Sequence, residues 1–158
     1  IPLKNIDKQK FRNNRGLYLE NMKIIQGTVK ENIILGNSKS HTEDILELSE
    51  NIGIENFSSM FSSGFFTEVS ETDSEITFSS KKKILLLRAL LGEKRLIILE
   101  NPFVGIHEEY QDKMIQYLQQ IKEKTTIIIV SQDPELLQYA DQHIHLESGT
   151  LKTYQKKQ

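Results

Sequence analysis

The residues best placed to do chemistry are acids and amides that follow apolar runs. Glu100 and Asn101 come directly after Leu96-Ile97-Ile98-Leu99, and open α/β sheets gather their ligand chemistry at the carboxyl ends of strands. Glu100 brings a carboxylate that can hold Mg²⁺ directly or through water. Asn101 brings an amide, which donates and accepts hydrogen bonds but is too weakly basic to take a proton. Glu20 follows Gly16-Leu17-Tyr18-Leu19, and Gln132 follows the apolar run that ends at Val130. Glu20 reads equally well as an exposed loop acid. Lys81, Lys82 and Lys83 fall in the first turn of an apolar helix, where they oppose its dipole but favour an anion. A solvated helix end explains them as simply. His143 and His145 alternate along a strand and share a face, but two histidines without a third ligand are weak grounds for a metal site.

Composition narrows the setting. The chain has 158 residues, enough for one domain with a real core. The net charge is −2, so no broad basic field points to nucleic acid. The absence of cysteine removes disulfides and thiolate metal ligands. No apolar run approaches the roughly 20 residues that span a bilayer, and no signal-peptide pattern is present. A start at Ile1 rather than Met is expected of a processed chain or, more readily, of a piece cut from something longer.

The elements that must position these groups show in the hydrophobic pattern. Thr77 is a candidate N-cap for a helix that is apolar on most of its surface, through Ile84, Leu85, Leu87, Ala89, Leu90 and Leu91, and so is expected to be buried. Leu96 to Leu99 and Thr125 to Val130 are unbroken apolar strands, the pattern of a parallel sheet covered on both faces. Thr28 with Glu31, and Ser40 with Glu43, have capping-box spacing. Tyr110, Met114, Leu118 and Ile121 form a core-facing helical stripe. Pro134 opens a short helix, and Ser148-Gly149 turns between two short strands. In Gly64 to Glu71 the aromatics Phe65 and Phe66 are expected to serve as core anchors more than as interface residues.

Taken together, these pieces resemble the second half of an ATP-binding cassette (ABC) domain of the exporter type. Ile76-Thr77-Phe78-Ser79-Ser80 falls on the signature LSGGQ, Leu87-Arg88-Ala89-Leu90 on A-R-A-L, and Leu96 to Leu99 on the Walker B strand. Val104-Gly105-Ile106-His107 falls on the D-loop, Gly27-Thr28-Val29-Lys30-Glu31-Asn32-Ile33 on G-T-h-R-E-N-I, and Gly64 to Glu71 on G-[FY]-D-T-E-V-G-E. Ala140 to Leu151 resembles the family's closing A-D-x-I-x-x-L-x-x-G-x-h, and Ile1 to Asp7 its G-x-P-L-x-D-I-D. The resemblance implies an α/β fold: part of the P-loop NTPase architecture, a mostly parallel sheet flanked by helices, plus a helical subdomain. It divides the chain into a start of the core over 1–27, a helical signature-bearing part over 28–92 and a second core part over 93–158.

The same alignment assigns roles. It puts Glu100 at the metal-site Asp, Asn101 at the catalytic Glu, Gln132 at the switch His and Glu20 at the Q-loop Gln. It makes Glu20, Thr77, Ser79, Ser80, Gly105 and His107 candidate nucleotide contacts. Nearly every chemical position differs from the family's pattern, and no G-x-x-x-x-G-K-[ST] phosphate loop occurs in these residues. In the family that loop lies upstream, together with a central strand, so the segment alone is expected to be marginally stable or to associate. The implied reading is a catalytically degenerate cassette half that supports ATP-driven transport. Two alternatives stay open: a working ATPase half whose composite site with a partner hydrolyses ATP, and a nucleotide-free interaction module. The resemblance implies ATP and Mg²⁺ in the full-length protein, with neither held tightly by this piece. It further implies a second nucleotide-binding domain, a transmembrane domain and no nucleic acid as partners, on the cytoplasmic side of a membrane.

Overall fold

The computed structural model describes residues 7–37, 39–54, 56–73 and 76–155, with residues 153–155 as backbone only. The opening segment through Ile6, with most of its resemblance, lies outside them. A short helix α1 (Lys8–Asn13), capped by the Asp7 carboxylate, leads into strand β1 (Arg15–Tyr18). The two-residue strand β2 (Gly27–Thr28) then feeds helix α2 (Val29–Ile34). Helix α3 (Thr42–Asn51), two 3-10 turns and the short strand β3 (Glu68–Val69) follow. The long helix α4 (Phe78–Leu90), strand β4 (Leu96–Glu100), helix α5 (Glu108–Ile121) and strand β5 (Thr126–Val130) make the centre. A 3-10 turn at Pro134–Tyr139 precedes a hairpin of β6 (Gln142–Glu147) and β7 (Thr150–Gln155).

The main sheet is parallel, in the order β1-β4-β5. Tyr18 pairs with Leu99, and Glu100 with Val130. This register brings the three strands out at one end, so the residues that follow them (Glu20, Asn101 and Gln132) emerge on the same side. Parallel strands need long crossovers, and here α4 and α5 lie within those crossovers. Helix α4 packs directly on β1, and Gly16 makes this approach possible. A Cβ at Gly16 would lie 1.8 Å from the Ala89 carbonyl oxygen.

Helix α4 is buried from Ile84 to its end, as its apolar surface predicts, with Ile84, Leu86, Leu87 and Leu90, and Leu91 just past it, almost wholly inaccessible. Thr77 caps it by accepting from the Ser80 N–H. The Thr28–Glu31 capping box forms as expected: Glu31 N–H donates to Thr28 Oγ1 at 3.1 Å and Thr28 N–H to Glu31 Oε2 at 2.7 Å. The second predicted box moves by one residue. Helix α3 begins at Thr42 and the Asp44 carboxylate accepts from the His41 N–H, which replaces the Ser40–Glu43 pair. Phe65 and Phe66 take opposite roles: Phe65 enters the core, against Phe57, while Phe66 is 74% exposed.

Two expectations about the sheet are corrected. On β4 only Ile97 and Leu99 are buried, while Leu96 and Ile98 stay partly open. Strand β5 is largely exposed, with Ile128, Ile129 and Val130 open to solvent. Its apolar sequence is that of an inner strand, but among the described residues β4 is its one strand neighbour. The Tyr110 stripe behaves as core: Met114 and Leu118 are buried, and Ile121 packs at the edge. Ser148 and Gly149 both take positive φ, 47° and 77°, in the tight turn that joins β6 to β7. No helix among the described residues is long and apolar enough to cross a membrane.

Candidate functional site

The mouth of the parallel sheet is built from Glu20, Glu100 and Asn101. Because Tyr18 and Leu99 are in register, the chain beyond β1 passes the end of β4, and the Glu20 N–H donates to Glu100 Oε2 at 3.0 Å. The Asn101 side-chain amide donates to Glu20 Oε1 at 2.7 Å. Asn101 itself sits at φ 45°, left-handed backbone that asparagine tolerates better than most residues. Its own N–H donates to the Val130 carbonyl at 2.8 Å, so the end of β5 is tied in too. Glu20, Glu100, Leu19 and Asn21 line an open pocket at this end.

Beneath the mouth lies a cation. Lys82, only 5% exposed, reaches from α4 and donates through Nζ to the Asn101 carbonyl at 3.1 Å and to the Val104 carbonyl. Its ammonium stands 5.6 Å from the centre of the Tyr18 ring. Burial pushes the Lys82 pKa down, partly offset by the negative Glu20. The Tyr18 hydroxyl is held above its ordinary pKa by burial and then by the Glu20 and Glu100 carboxylates. The reading of all three lysines as a solvated helix end is therefore corrected at Lys82. It shares a helix face with Leu85, Leu86 and Ala89, and that spacing was the available signal.

The start of α4 forms a second cluster. Thr77 Oγ1 and Ser80 Oγ lie 2.9 Å apart, and Thr77 takes the N–H groups of both Ser80 and Lys81, through its hydroxyl and its carbonyl. The cap therefore satisfies itself and leaves an incoming anion fewer donors than the sequence suggests. Ser79 is exposed, and Phe78 stands out beside it at 72% exposure. Gly105, at φ 73°, lies exposed in the loop between β4 and α5. His107 is the exposed N-cap residue of α5, without a capping bond from its side chain. Gln132 is exposed two residues past Val130, at the same end of the sheet as Asn101.

The donor set suits one part of the expected cofactor and not the other. Glu100 keeps one carboxylate oxygen beyond its bond to Glu20, and oxygen donors of this type suit Mg²⁺, with water or phosphate completing the shell. No group of three or more metal-ligating side chains gathers among the described residues. A phosphate cradle is poorly supplied, since the α4 cap is closed on itself and carries a large aromatic.

A polar knot missed by the sequence reading supports this site from behind. Asn32, fully buried, donates from its amide to the Ile25 and Thr28 carbonyls and accepts from the Ile25 N–H and from Arg88. Arg88 also donates to the Asn32 and Lys23 carbonyls, at 2.6 Å and 3.2 Å. The knot fastens the segment after Glu20 to the last turn of α4. Its signal in the sequence was Asn32 sharing the buried helical face of Val29 and Ile33.

No family model matches the chain. Among curated proteins, it is 28% identical over 149 residues to the uncharacterized ABC transporter ATP-binding protein YknV of Bacillus subtilis, covering 94% of this chain and 25% of that protein. It is 30% identical over 151 residues to the mesentericin-Y105 transport/processing ATP-binding protein MesD of Leuconostoc mesenteroides, covering 95% of this chain and 21% of that protein. The chain thus spans a quarter or less of the length of these relatives. Among solved structures, a bacterial Atm1-family ABC exporter with ATP bound superposes with a TM-score of 0.76 over 87% of this chain and 24% of its own, at 15% identity, a likeness of fold. Agreement in sequence along nearly the whole chain shows that the protein belongs to the ATP-binding cassette family, as the C-terminal part of its nucleotide-binding domain.

Proposed function

We propose that this chain is part of a catalytically degenerate ATP-binding domain that supports ATP-driven export as a structural or regulatory half. The observation that carries this reading is the hydrogen bond from the Asn101 amide to Glu20 at 2.7 Å. Asn101 stands where a general base would have to receive a proton from attacking water. An amide cannot take that proton, and this one is already engaged. Gln132, at the same end of the sheet, cannot carry the charge or the proton of a histidine. Phe78, projecting from the start of α4, crowds the place where backbone would have to approach a phosphate.

In the full-length protein, ATP and Mg²⁺ are the cofactors this site would meet, with Glu100 as the metal carboxylate. Bound Mg²⁺ would supply charge neutralisation at the phosphates. The chain's own residues orient and restrain: the Glu20 N–H fixes Glu100, and Asn101 fixes Glu20. This piece alone holds neither ATP nor Mg²⁺ tightly. The partners are a second nucleotide-binding domain and a transmembrane domain, on the cytoplasmic side of a membrane. The exposed Phe66, beside β3, offers an apolar contact for the latter.

The test is Mg-ATP titration of the full-length protein by calorimetry, alongside turnover. Micromolar binding without turnover is the expected result. Turnover abolished by Glu100→Gln would replace this reading with that of a working ATPase half. Neither binding nor an ATP-dependent thermal shift would leave an interaction module that has dropped the nucleotide.

A further inference from the structure

We propose that Lys82 is a positioning residue, an internal cation that pins the loop between β4 and α5 and so sets where Asn101 and Glu20 stand. Four observations converge on it. Lys82 is 5% exposed, on the helix face that it shares with the buried Leu85, Leu86 and Ala89. Its Nζ donates to two carbonyls of one loop, those of Asn101 and Val104. The Tyr18 ring presents its face to the same ammonium at 5.6 Å. Asn101, whose carbonyl it holds, is left-handed at φ 45° and spends its side chain on Glu20.

The physical logic runs outward from the buried charge. An ammonium taken out of water needs strong acceptors, and no carboxylate lies within ion-pair reach of Lys82 among the described residues. Carbonyl dipoles and an aromatic face take that role. The loop must keep the shape that aims two carbonyls inward, so the charge fixes the loop as much as the loop satisfies the charge. Fixing the Asn101 carbonyl also fixes its Cα, and thereby the direction of the amide that meets Glu20. Because Lys82 grows from α4, the position of that helix is transmitted to the acidic mouth without any ligand. The pin concerns this chain's own loops and stands whether or not the site hydrolyses ATP.

Lys82→Met keeps the stem and removes the charge, and Lys82→Arg keeps the charge. Hydrogen exchange and side-chain amide NMR on the chain read both ends of the pin. In Lys82→Met, exchange at the Asn101, Val104 and Ile106 amides should rise on the order of tenfold, and the Asn101 side-chain amide resonances should move toward free values. The interior of α4 should keep its protection. Lys82→Arg should restore both signals, which a role in packing alone would not produce. Unchanged exchange at Asn101 and Ile106 in Lys82→Met overturns the proposal. Should that variant not fold, Glu20→Gln at the exposed end decides. The Asn101 side-chain resonances should shift while the loop amides keep their protection, and equal loss at the loop would show that Glu20, not Lys82, is the pin.

Discussion

Residues 7–121 and residues 126–155 contain similar apolar strands, yet only the first region buries them. Among the described residues, every buried apolar side chain of the core lies between Tyr18 and Leu118. Beyond it stand Ile128, Ile129, Val130, Leu137, Tyr139, Ile144, Leu146 and Leu151, all exposed. Composition does not explain the contrast, since β5 is as β-branched as β4 is apolar. What differs is the number of covered sides. Strand β4 has a neighbour on each edge, and one of them, β1, is covered by helix α4, whereas β5 has β4 alone and the β6–β7 hairpin pairs only with itself among the described residues. The segment that leads into the hairpin is tied to the end of α5 by polar contacts, Lys122 to Asp141 at 2.7 Å and Gln119 to the Tyr139 carbonyl at 2.8 Å. Burial is thus conferred by neighbours, and an apolar run states only what the chain is able to bury.

The sharpest way to break the comparison is a matched pair of truncations. Leu86→Ala, at a fully buried position, should cost about 4 kcal/mol through lost transfer and a residual cavity. Leu146→Ala, at a position 75% exposed, should change stability by less than about 0.5 kcal/mol. Urea denaturation of both variants reads the difference, and comparable losses would mean that the hairpin shares the core after all. Gly16→Ala should follow at about 3 kcal/mol. Its Cβ would strike the Ala89 carbonyl, which is backbone and cannot turn aside, so α4 must lift from β1. Loss of protection at both elements in hydrogen exchange is the expected sign.

Asn32→Ala should cost about 2–3 kcal/mol, because the Ile25 and Arg88 donors lose an acceptor in a buried place. Thr28→Ala, which removes a cap at the exposed start of α2, should cost about 1 kcal/mol. Thermal unfolding of the two variants orders them. The reverse order would mean that the knot binding α2 to α4 is dispensable, leaving the first region held by apolar packing alone.

These residues also show what the sequence discloses. Apolar patterning located α4 and α5, and Thr28 and Thr77 marked two helix starts, because caps and apolar stripes are local in the chain. The acids and amides after apolar runs marked the mouth of the sheet, because strand ends in a parallel sheet emerge together. Lys82 and Arg88 stayed hidden as structural cations, since a lysine or arginine in a helix looks alike whether it meets solvent or a carbonyl 19 or 56 residues away. The exposure of β5 stayed hidden for the opposite reason. Its sequence reports an inner strand, while its exposure depends on pairing that no local pattern encodes.

The smallest effect on stability carries the clearest test of the second region. Apolar edge strands and open apolar hairpins recruit neighbours in water. The chain should therefore sediment as larger species as its concentration rises, with the association running through β5 and the hairpin. Placing a lysine at Ile128 and another at Leu146 should suppress it, since both side chains are exposed and a charged edge resists pairing. Unfolding free energy should shift by less than about 0.5 kcal/mol, because neither position belongs to the core. If the wild-type chain stays monomeric with cooperative unfolding, the apolar surface of residues 126–155 is tolerated by water, and the first region alone supplies enough stability. If it associates and the double variant does not, the two regions differ as the structure says: one has closed its surface, and the other still presents it.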